Sequence, residues 1–192
     1  MSINISPSEI YSELTYTEES EHVSIASLPG MRERTIVING FSKSYAMTGW
    51  RLGYMLAPTY IIEHAQKAHQ FMTVSAVTFI QYAGMEALNF DVSEFVEIYR
   101  RRRDYAYDRL VKMGMDVIKP DGTFYIFPSI KKFGMSSMEF CTKLLEDQKT
   151  VIIPGIAFGA EGNVRLSFAV DDVTLEKALD RLEVFVKGLE NK

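Results

Sequence analysis

The side chains best suited to chemistry in this sequence are one lysine and one arginine, Lys43 and Arg51, which share the short segment 36–53. Lys43 follows an apolar, β-branched run and lies in a turn that contains glycine and serine. Neighbours such as Tyr45 and Trp50 are expected to exclude water around the amine. Partial desolvation near a second cation favours the neutral, nucleophilic form of an amine, and a guanidinium group can bind phosphate through paired hydrogen bonds. The segment therefore predicts an activated amine beside a phosphate-binding group.

The elements that must position Lys43 are predicted from apolar patterning. The run 35–39 is short and β-branched, which is typical of a strand buried on both faces in a parallel sheet. A second short strand is predicted over 51–56, and a helix from about 59 to 71 follows the proline that ends it. The segment 75–89 is rich in alanine and large apolar residues, which predicts a buried helix.

The second half of the chain alternates strands with helices. A long amphipathic helix is predicted from about 91 to 113, with Gly114 as its stop. Its arginine run, 100–103, is interpreted as a solvated, salt-bridged face rather than a site for an anionic partner. Further strands and helices are predicted at 117–118, 123–128, 136–148, 151–153, 163–169 and 173–190. This alternation predicts a small α/β domain.

Composition narrows the classes of function. The 192 residues carry a net charge of −4, and basic residues are not in excess over a whole domain, which argues against nucleic acid as the main partner. No histidine and cysteine cluster has metal-ligand spacing, so no metal site is predicted. The single cysteine, Cys141, excludes an internal disulfide and suits a reducing cytoplasm. No signal peptide and no membrane span are recognised, so a membrane partner is not expected either.

The segment 42–54, Ser-Lys-Ser-Tyr-Ala-Met-Thr-Gly-Trp-Arg-Leu-Gly-Tyr, resembles the cofactor-lysine signature of the class I/II aminotransferases. These are pyridoxal-phosphate enzymes of the aspartate aminotransferase fold, fold type I. The resemblance implies that Lys43 forms a Schiff base with pyridoxal phosphate and moves the substrate α-proton. It also implies that Arg51 binds the cofactor phosphate and that Ser42 is a further cofactor-binding residue. The alternative is a lysine at a buried strand end that extends its amine to solvent.

A second stretch of the resemblance lies near the start of the chain, at 8–11, Ser-Glu-Ile-Tyr. It is similar to a family motif of the form Asp-Glu-x-Tyr, whose tyrosine bonds the phenolic oxygen of the cofactor, and Tyr11 matches that tyrosine. The aspartate position falls on Ser8. A carboxylate there keeps the pyridine nitrogen protonated, and a serine cannot supply that charge. By itself, Tyr11 also fits an interfacial aromatic whose hydroxyl is satisfied.

A lone arginine, Arg165, lies within the apolar strand 163–168, where an unpaired charge is costly. It therefore needs an anion, either an internal carboxylate or a ligand. The resemblance implies the α-carboxylate of the substrate, with Phe124 lining the substrate pocket. The stretch 154–159, Pro-Gly-Ile-Ala-Phe-Gly, resembles a loop that closes over substrate, although such residues also form ordinary turns and core.

The resemblance extends from about residue 8 to 189 but spans roughly the second half of a family member. It implies an α/β chain with a partial large pyridoxal-phosphate-binding domain, 1–90, and a complete small C-terminal domain, 91–192. The implied reaction exchanges an amino group between an amino acid and a 2-oxo acid, in a homodimer. Two alternatives stay open: a truncated, catalytically incompetent chain that only folds or binds a partner chain, and a pyridoxal-phosphate-dependent lyase of the same fold. The sequence does not identify the amino donor.

Overall fold

The computed structural model describes residues 4–5, 8–17 and 22–190. The chain has an α/β fold and divides into two compact units, Met1–Val96 and Glu97–Lys192. We refer to them as unit 1 and unit 2 and describe each by itself.

Unit 1 contains a three-stranded sheet in the order β1 (Asn4–Ile5), β2 (Thr35–Gly40) and β3 (Gly53–Leu56). β1 and β2 are parallel, whereas β2 and β3 are antiparallel and start their pairing at Gly40 and Gly53. Two helices follow, α1 (Thr59–Thr73) and α2 (Thr78–Ala87). The predicted strands and helices around Lys43 are therefore present.

Burial in unit 1 differs from the prediction. The strand predicted to be buried on both faces leaves Ile38 43% exposed, and the helix predicted to be buried is α2, in which only Gly84 is buried. We call the large apolar side chains of residues 71–88 that are more than half exposed the apolar face of unit 1. They are Phe71, Met72, Val74, Val77, Phe79, Tyr82, Met85 and Leu88. The two burial predictions were wrong because the described part of unit 1 leaves Ile38 and the apolar face largely uncovered.

Unit 2 contains most of α3 (Ser93–Lys112), followed by β4 (Tyr125–Ile126), α4 (Ser137–Gln148), β5 (Ile153–Pro154), β6 (Val164–Ser167) and α5 (Asp172–Glu190). Its antiparallel sheet has the order β4-β6-β5. The core is formed by side chains that are almost completely buried: Leu110, Ile126, Ile130, Phe140, Leu144, Val164, Phe168, Leu179 and Leu182. The strand predicted at 117–118 is absent, and Ile118 is exposed to solvent.

The helix ends of unit 2 follow the local signals in the sequence. The Ser136 hydroxyl accepts a hydrogen bond from the Glu139 backbone N–H at 3.2 Å and so caps α4. Gly114, with φ +67°, follows the end of α3 in the left-handed conformation, as predicted. Within the arginine run, Arg101 and Arg102 both pair with Asp172 of α5. The predicted salt-bridged face is therefore present, although Arg103 is buried.

Candidate active site

Lys43 lies in a tight turn directly after β2. The turn is closed by backbone hydrogen bonds from the Ala46 N–H to the Lys43 carbonyl at 3.3 Å and from the Met47 N–H to the Phe41 carbonyl at 3.2 Å. Phe41 itself is tied to the neighbouring strand through its N–H, which donates to the Leu52 carbonyl at 3.3 Å. Lys43 is half-buried. Its backbone is thus held on both sides, which fixes where the side chain begins.

An aromatic cluster lies beside this turn. The ring of Phe41 is buried and lies 5.5 Å from the ring of Tyr45 and 5.7 Å from that of Tyr54, measured between centroids. Burial raises the pKa of both tyrosines above the ordinary value of 10.0, and the nearby charge of Glu13 adds to the effect. Both phenols are therefore protonated at neutral pH and available as hydrogen-bond donors.

Arg51 lies in the same turn region and has a left-handed backbone, with φ +53°. Its Nη1 donates to the Thr48 carbonyl at 2.9 Å, and the Thr48 hydroxyl donates to the Ser42 carbonyl at 2.8 Å. These bonds connect Arg51 to the residue before Lys43. The Nε and Nη2 atoms of Arg51 bond to no described residue, and the side chain is exposed. One edge of the guanidinium group can therefore bind an oxyanion.

The segment that contains Tyr11 runs beside β2 in the same unit. The Glu9 N–H donates to the Ile38 carbonyl at 2.8 Å, and the Asn39 amide donates to the Ser12 hydroxyl at 3.3 Å. Tyr11 is half-buried. Unit 1 thus places the segment of Tyr11 beside the end of β2 that leads into the turn of Ser42, Lys43 and Arg51.

The sequence analysis did not single out the partners of this segment. The Glu9 carboxylate accepts a hydrogen bond from the Ser24 hydroxyl at 2.7 Å and lies 3.4 Å from His22 Nε2. Ser8, at the position where the resemblance implies an aspartate, is exposed. Glu9 is therefore engaged on the side of Ser24 and His22. Glu9 and Ser24 are 15 positions apart in sequence, so no local sequence pattern could have indicated their contact.

Arg165 lies in unit 2 between two aromatic rings. Its Cζ is 4.2 Å from the centroid of Tyr125 and 4.1 Å from that of Phe158. Such positions over the ring faces are cation–π contacts. Across the described residues, no carboxylate is within ion-pair distance of Arg165. The described residues therefore provide no internal salt bridge for Arg165, which leaves it a candidate to bind an external anion.

Tyr125, which contacts Arg165, was not singled out from the sequence, whereas Phe124 was named as lining the substrate pocket. In the antiparallel pair β4 and β6, Tyr125 lies opposite Ser167, which shares a strand face with Arg165. Phe124 packs nearby, with its ring 5.8 Å from Tyr99 and 4.7 Å from Tyr125. Because successive side chains of a strand point to opposite faces, only one of the neighbours Phe124 and Tyr125 can lie on the face of Arg165. Which of the two does so depends on the register between β4 and β6.

Comparisons with known proteins identify the family of the chain. The family described as "Aminotransferase class I and II" matches residues 8–182. The chain belongs to the class I and II aminotransferases. A relative from Bacillus subtilis, named as a probable N-acetyl-LL-diaminopimelate aminotransferase, is 52% identical over 183 residues, which are 93% of this chain and 46% of the relative.

Other aminotransferases show the same coverage. An aspartate aminotransferase from Pyrococcus abyssi is 47% identical over 91% of this chain and 46% of its own length. The crystal structure of an aromatic aminotransferase from Pyrococcus horikoshii superposes with a TM-score of 0.93 and 44% identity, over 98% of this chain and 52% of that one. The α/β fold predicted from the resemblance is thereby confirmed. The chain spans about half the length of the curated relatives that it matches.

The described part of this aminotransferase-family chain contains neither a candidate metal centre nor a reactive thiol. Within residues 4–5, 8–17 and 22–190, no group of three histidine, cysteine or acidic side chains is arranged to hold a metal ion. Burial raises the pKa of the Cys141 thiol to about 11, so it is not a nucleophile at neutral pH. None of the helices in the described part of the chain is both long and apolar enough to cross a bilayer.

Proposed function

We propose that this chain supplies the lysine-bearing part of an aminotransferase that exchanges an amino group between an amino acid and a 2-oxo acid, with pyridoxal phosphate as cofactor. The observation that carries the proposal is the turn after β2. There a half-buried amine, Lys43, and a guanidinium group with an open edge, Arg51, are joined through Thr48 and Ser42. Membership of the class I and II aminotransferases supports the same assignment.

The residues of unit 1 fit two of the chemical groups of the cofactor. An aldehyde requires a nucleophilic amine, and Lys43 is the lysine of this turn. A phosphate requires N–H and O–H donors, which the open edge of Arg51 and the Ser42 hydroxyl supply. When it is bound, pyridoxal phosphate supplies an electron sink for a substrate carbanion. At the ring nitrogen the fit is weaker, because Ser8 carries no carboxylate.

In this proposal the chain's own residues divide the work. Lys43 holds and moves the proton at the substrate α-carbon as a general acid and base, and Tyr11 donates a hydrogen bond to the phenolic oxygen of the cofactor. Arg165 binds the substrate carboxylate as a planar fork. Tyr125 and Phe158 keep its guanidinium group in place and partly desolvated, and partial desolvation strengthens its attraction for an anion.

Labelling of Lys43 tests the proposal. The chain is incubated with pyridoxal phosphate, reduced with borohydride, digested and examined by mass spectrometry. The expected result is a pyridoxyl group on the peptide that contains Lys43, and its loss in Lys43→Arg. The matched control is Lys67→Arg, which changes an exposed lysine of α1 and leaves the label in place. Label spread evenly over the surface lysines would contradict the proposal.

A second candidate function is binding of a partner chain without turnover. The apolar face of unit 1 favours it, because exposed apolar patches of this kind mark interaction sites. A homodimer that covers this face is the form we propose, and sedimentation velocity is expected to give the mass of two chains. A monomer at every concentration up to about 100 μM, a range in which weak interfaces already form, argues against it. Residence in the cytoplasm stays a prediction from the single cysteine.

A further inference from the structure

A groove of about 310 Å³ lies in unit 2 between the segment 149–152, which leads into β5, and one side of α5. We call it the β5 groove. Its apolar lining includes Val151, Ile152, Leu166 and Leu179. The volume is within the range of sites that bind ligands or side chains of a partner. The groove is thus an apolar channel that runs along the start of an edge strand.

Three basic side chains line this groove and no acidic one does: Lys149, Lys177 and Arg181. None of them forms an ion pair with a described residue. The Lys149 ammonium donates to the Glu146 carbonyl at 2.7 Å, and Arg181 Nη1 donates to the Lys149 carbonyl at 3.4 Å. Both contacts are with neutral carbonyl groups, so the positive charge of the groove is not compensated.

The basic side chains of α3 that face α5 are paired. Arg101 and Arg102 pair with Asp172, and Arg109 pairs with Asp180 and Glu183, at 2.7 and 2.9 Å. Carboxylates on α5 therefore point toward α3 and neutralise it, whereas the groove side of the same helix carries only positive charge. This asymmetry gives the groove a selective attraction for an anionic occupant.

The strand beside the groove has an open edge. In the sheet order β4-β6-β5, β5 is the terminal strand, and within the described residues no strand pairs with its outer side. Val151, just before β5, is 71% exposed. Unpaired backbone groups on an apolar strand edge are a template for a further strand. A small anion would use the charge of the groove but leave this edge unused.

We propose that the β5 groove is a docking site for an extended polypeptide segment that carries carboxylates next to apolar side chains. The segment adds to the open edge of β5 through backbone hydrogen bonds, places its apolar side chains against Val151 and Ile152, and pairs its carboxylates with Lys177 and Arg181. Strand addition of this kind takes its affinity from the main chain and its specificity from side-chain pockets.

The test uses the whole chain and a defined set of probes. Overlapping fluorescein-labelled peptides of about 15 residues, long enough to form an added strand, cover the part of the Bacillus subtilis relative that this chain does not match. Binding is measured by fluorescence anisotropy. The expected result is that binding is confined to peptides with acidic and apolar residues, and that it weakens as salt is added. Absence of binding by every peptide overturns the proposal.

Charge-reversal variants locate the binding. In Lys177→Glu combined with Arg181→Glu, affinity for the bound peptide is expected to fall about tenfold or more, because attraction becomes repulsion. The matched control is Lys112→Glu combined with Lys131→Glu, two basic side chains that do not line the groove, and it is expected to bind as before. Equal losses in both variants, or none in the groove variant, would overturn the proposal.

Amide signals of ¹⁵N-labelled chain report on the strand edge. The peptide is expected to shift the amides of Val151 and Ile152 and to protect the Ile152 N–H, which faces away from β6, from hydrogen exchange. Shifts confined to the apolar face of unit 1 contradict the assignment. Sodium octanoate serves as a small amphipathic anion; if it displaces the peptide at similar concentrations, the groove is a small-molecule site and the polypeptide proposal fails. These outcomes are independent of cofactor binding at Lys43.

Discussion

Units 1 and 2 both contain regular α-helices, but the helices of unit 2 bury many more side chains than those of unit 1. In unit 2, α4 and α5 bury large side chains such as Phe140, Leu144 and Leu179 almost completely. In unit 1, α1 buries no residue and α2 buries only Gly84. Local capping and apolar spacing are enough to specify a helix, whereas burial depends on the surfaces that pack against it. The described residues of unit 1 therefore leave its apolar face uncovered, and burial of this face would require another surface.

The largest difference between the units is expected from removing one aromatic ring in each. Phe140→Ala takes a fully buried ring from unit 2 and is expected to cost about 3–5 kcal/mol of unfolding free energy through lost burial and a cavity. Phe79→Ala changes a ring of α2 that is 67% exposed in the single chain, and for a monomer the expected change is within about 0.5 kcal/mol. Urea unfolding monitored by circular dichroism measures both. Similar losses would show that the face of unit 1 is covered in solution.

A smaller effect is expected from two helical glycines. A methyl group at Gly84 of α2 would lie 2.5 Å from Leu52 Cδ2 and 3.2 Å from the ring of Phe41, so Gly84→Ala is expected to cost about 1–3 kcal/mol. At Gly188 of α5 no atom is within 4 Å, and Gly188→Ala is expected to stabilise by about 0.5–1 kcal/mol, because alanine favours the helix. Thermal unfolding compares the two. Stabilisation by Gly84→Ala would show that α2 is not packed on the Lys43 turn.

The smallest effect is a difference in pH response. Hydrogen bonds from Arg102, and its charge, lower the pKa of Asp172 in unit 2. A carboxylate whose pKa is lowered by folding stabilises the folded state at pH values above its unfolded pKa, here 3.8. This stabilisation is lost as the pH falls below 3.8 and through the folded pKa. In unit 1, burial raises the pKa of Tyr45 and Tyr54. A raised pKa contributes stability below the unfolded value of 10.0, and this is lost as pH rises beyond it.

Amide spectra recorded across the pH range separate the two responses. Signals of unit 2 are expected to broaden first in acid, and those around the Lys43 turn first in alkali. Arg102→Gln is the control for acid, since it removes the main partner of Asp172 and is expected to weaken the acid dependence only. Simultaneous loss of the signals of both units, in acid and in alkali, would show that the two units do not respond separately to pH.

Much of the fold could be predicted from local sequence signals. The helices α1, α3, α4 and α5 were placed close to their observed bounds, and Gly114 and Ser136 mark ends that depend only on neighbouring residues. The family was also predictable, because the residues around Lys43 are contiguous in sequence and form one turn.

What was not predictable depends on residues far apart in the chain. The contact between Tyr125 and Arg165 follows from the register of β4 on β6. The hydrogen bond between Glu9 and Ser24 joins two loops, and its distance in sequence hides it from periodicity. The burial of Arg103 depends on the Pro120 carbonyl, which accepts its hydrogen bond at 3.2 Å. The roles assigned to Lys43, Arg51, Tyr11, Ser42 and Arg165 in binding cofactor and substrate stay predictions.

The left-handed backbone of Arg51 has a consequence for engineering. A residue with a Cβ pays a conformational penalty at φ +53°, whereas glycine does not. Arg51→Gly is therefore expected to relieve local strain while it removes the guanidinium edge. Selection of variants for heat resistance alone would favour glycine here, and selection for cofactor retention would favour arginine. In a library that varies only position 51, a screen for heat resistance is expected to enrich glycine and a screen for cofactor retention is expected to enrich arginine.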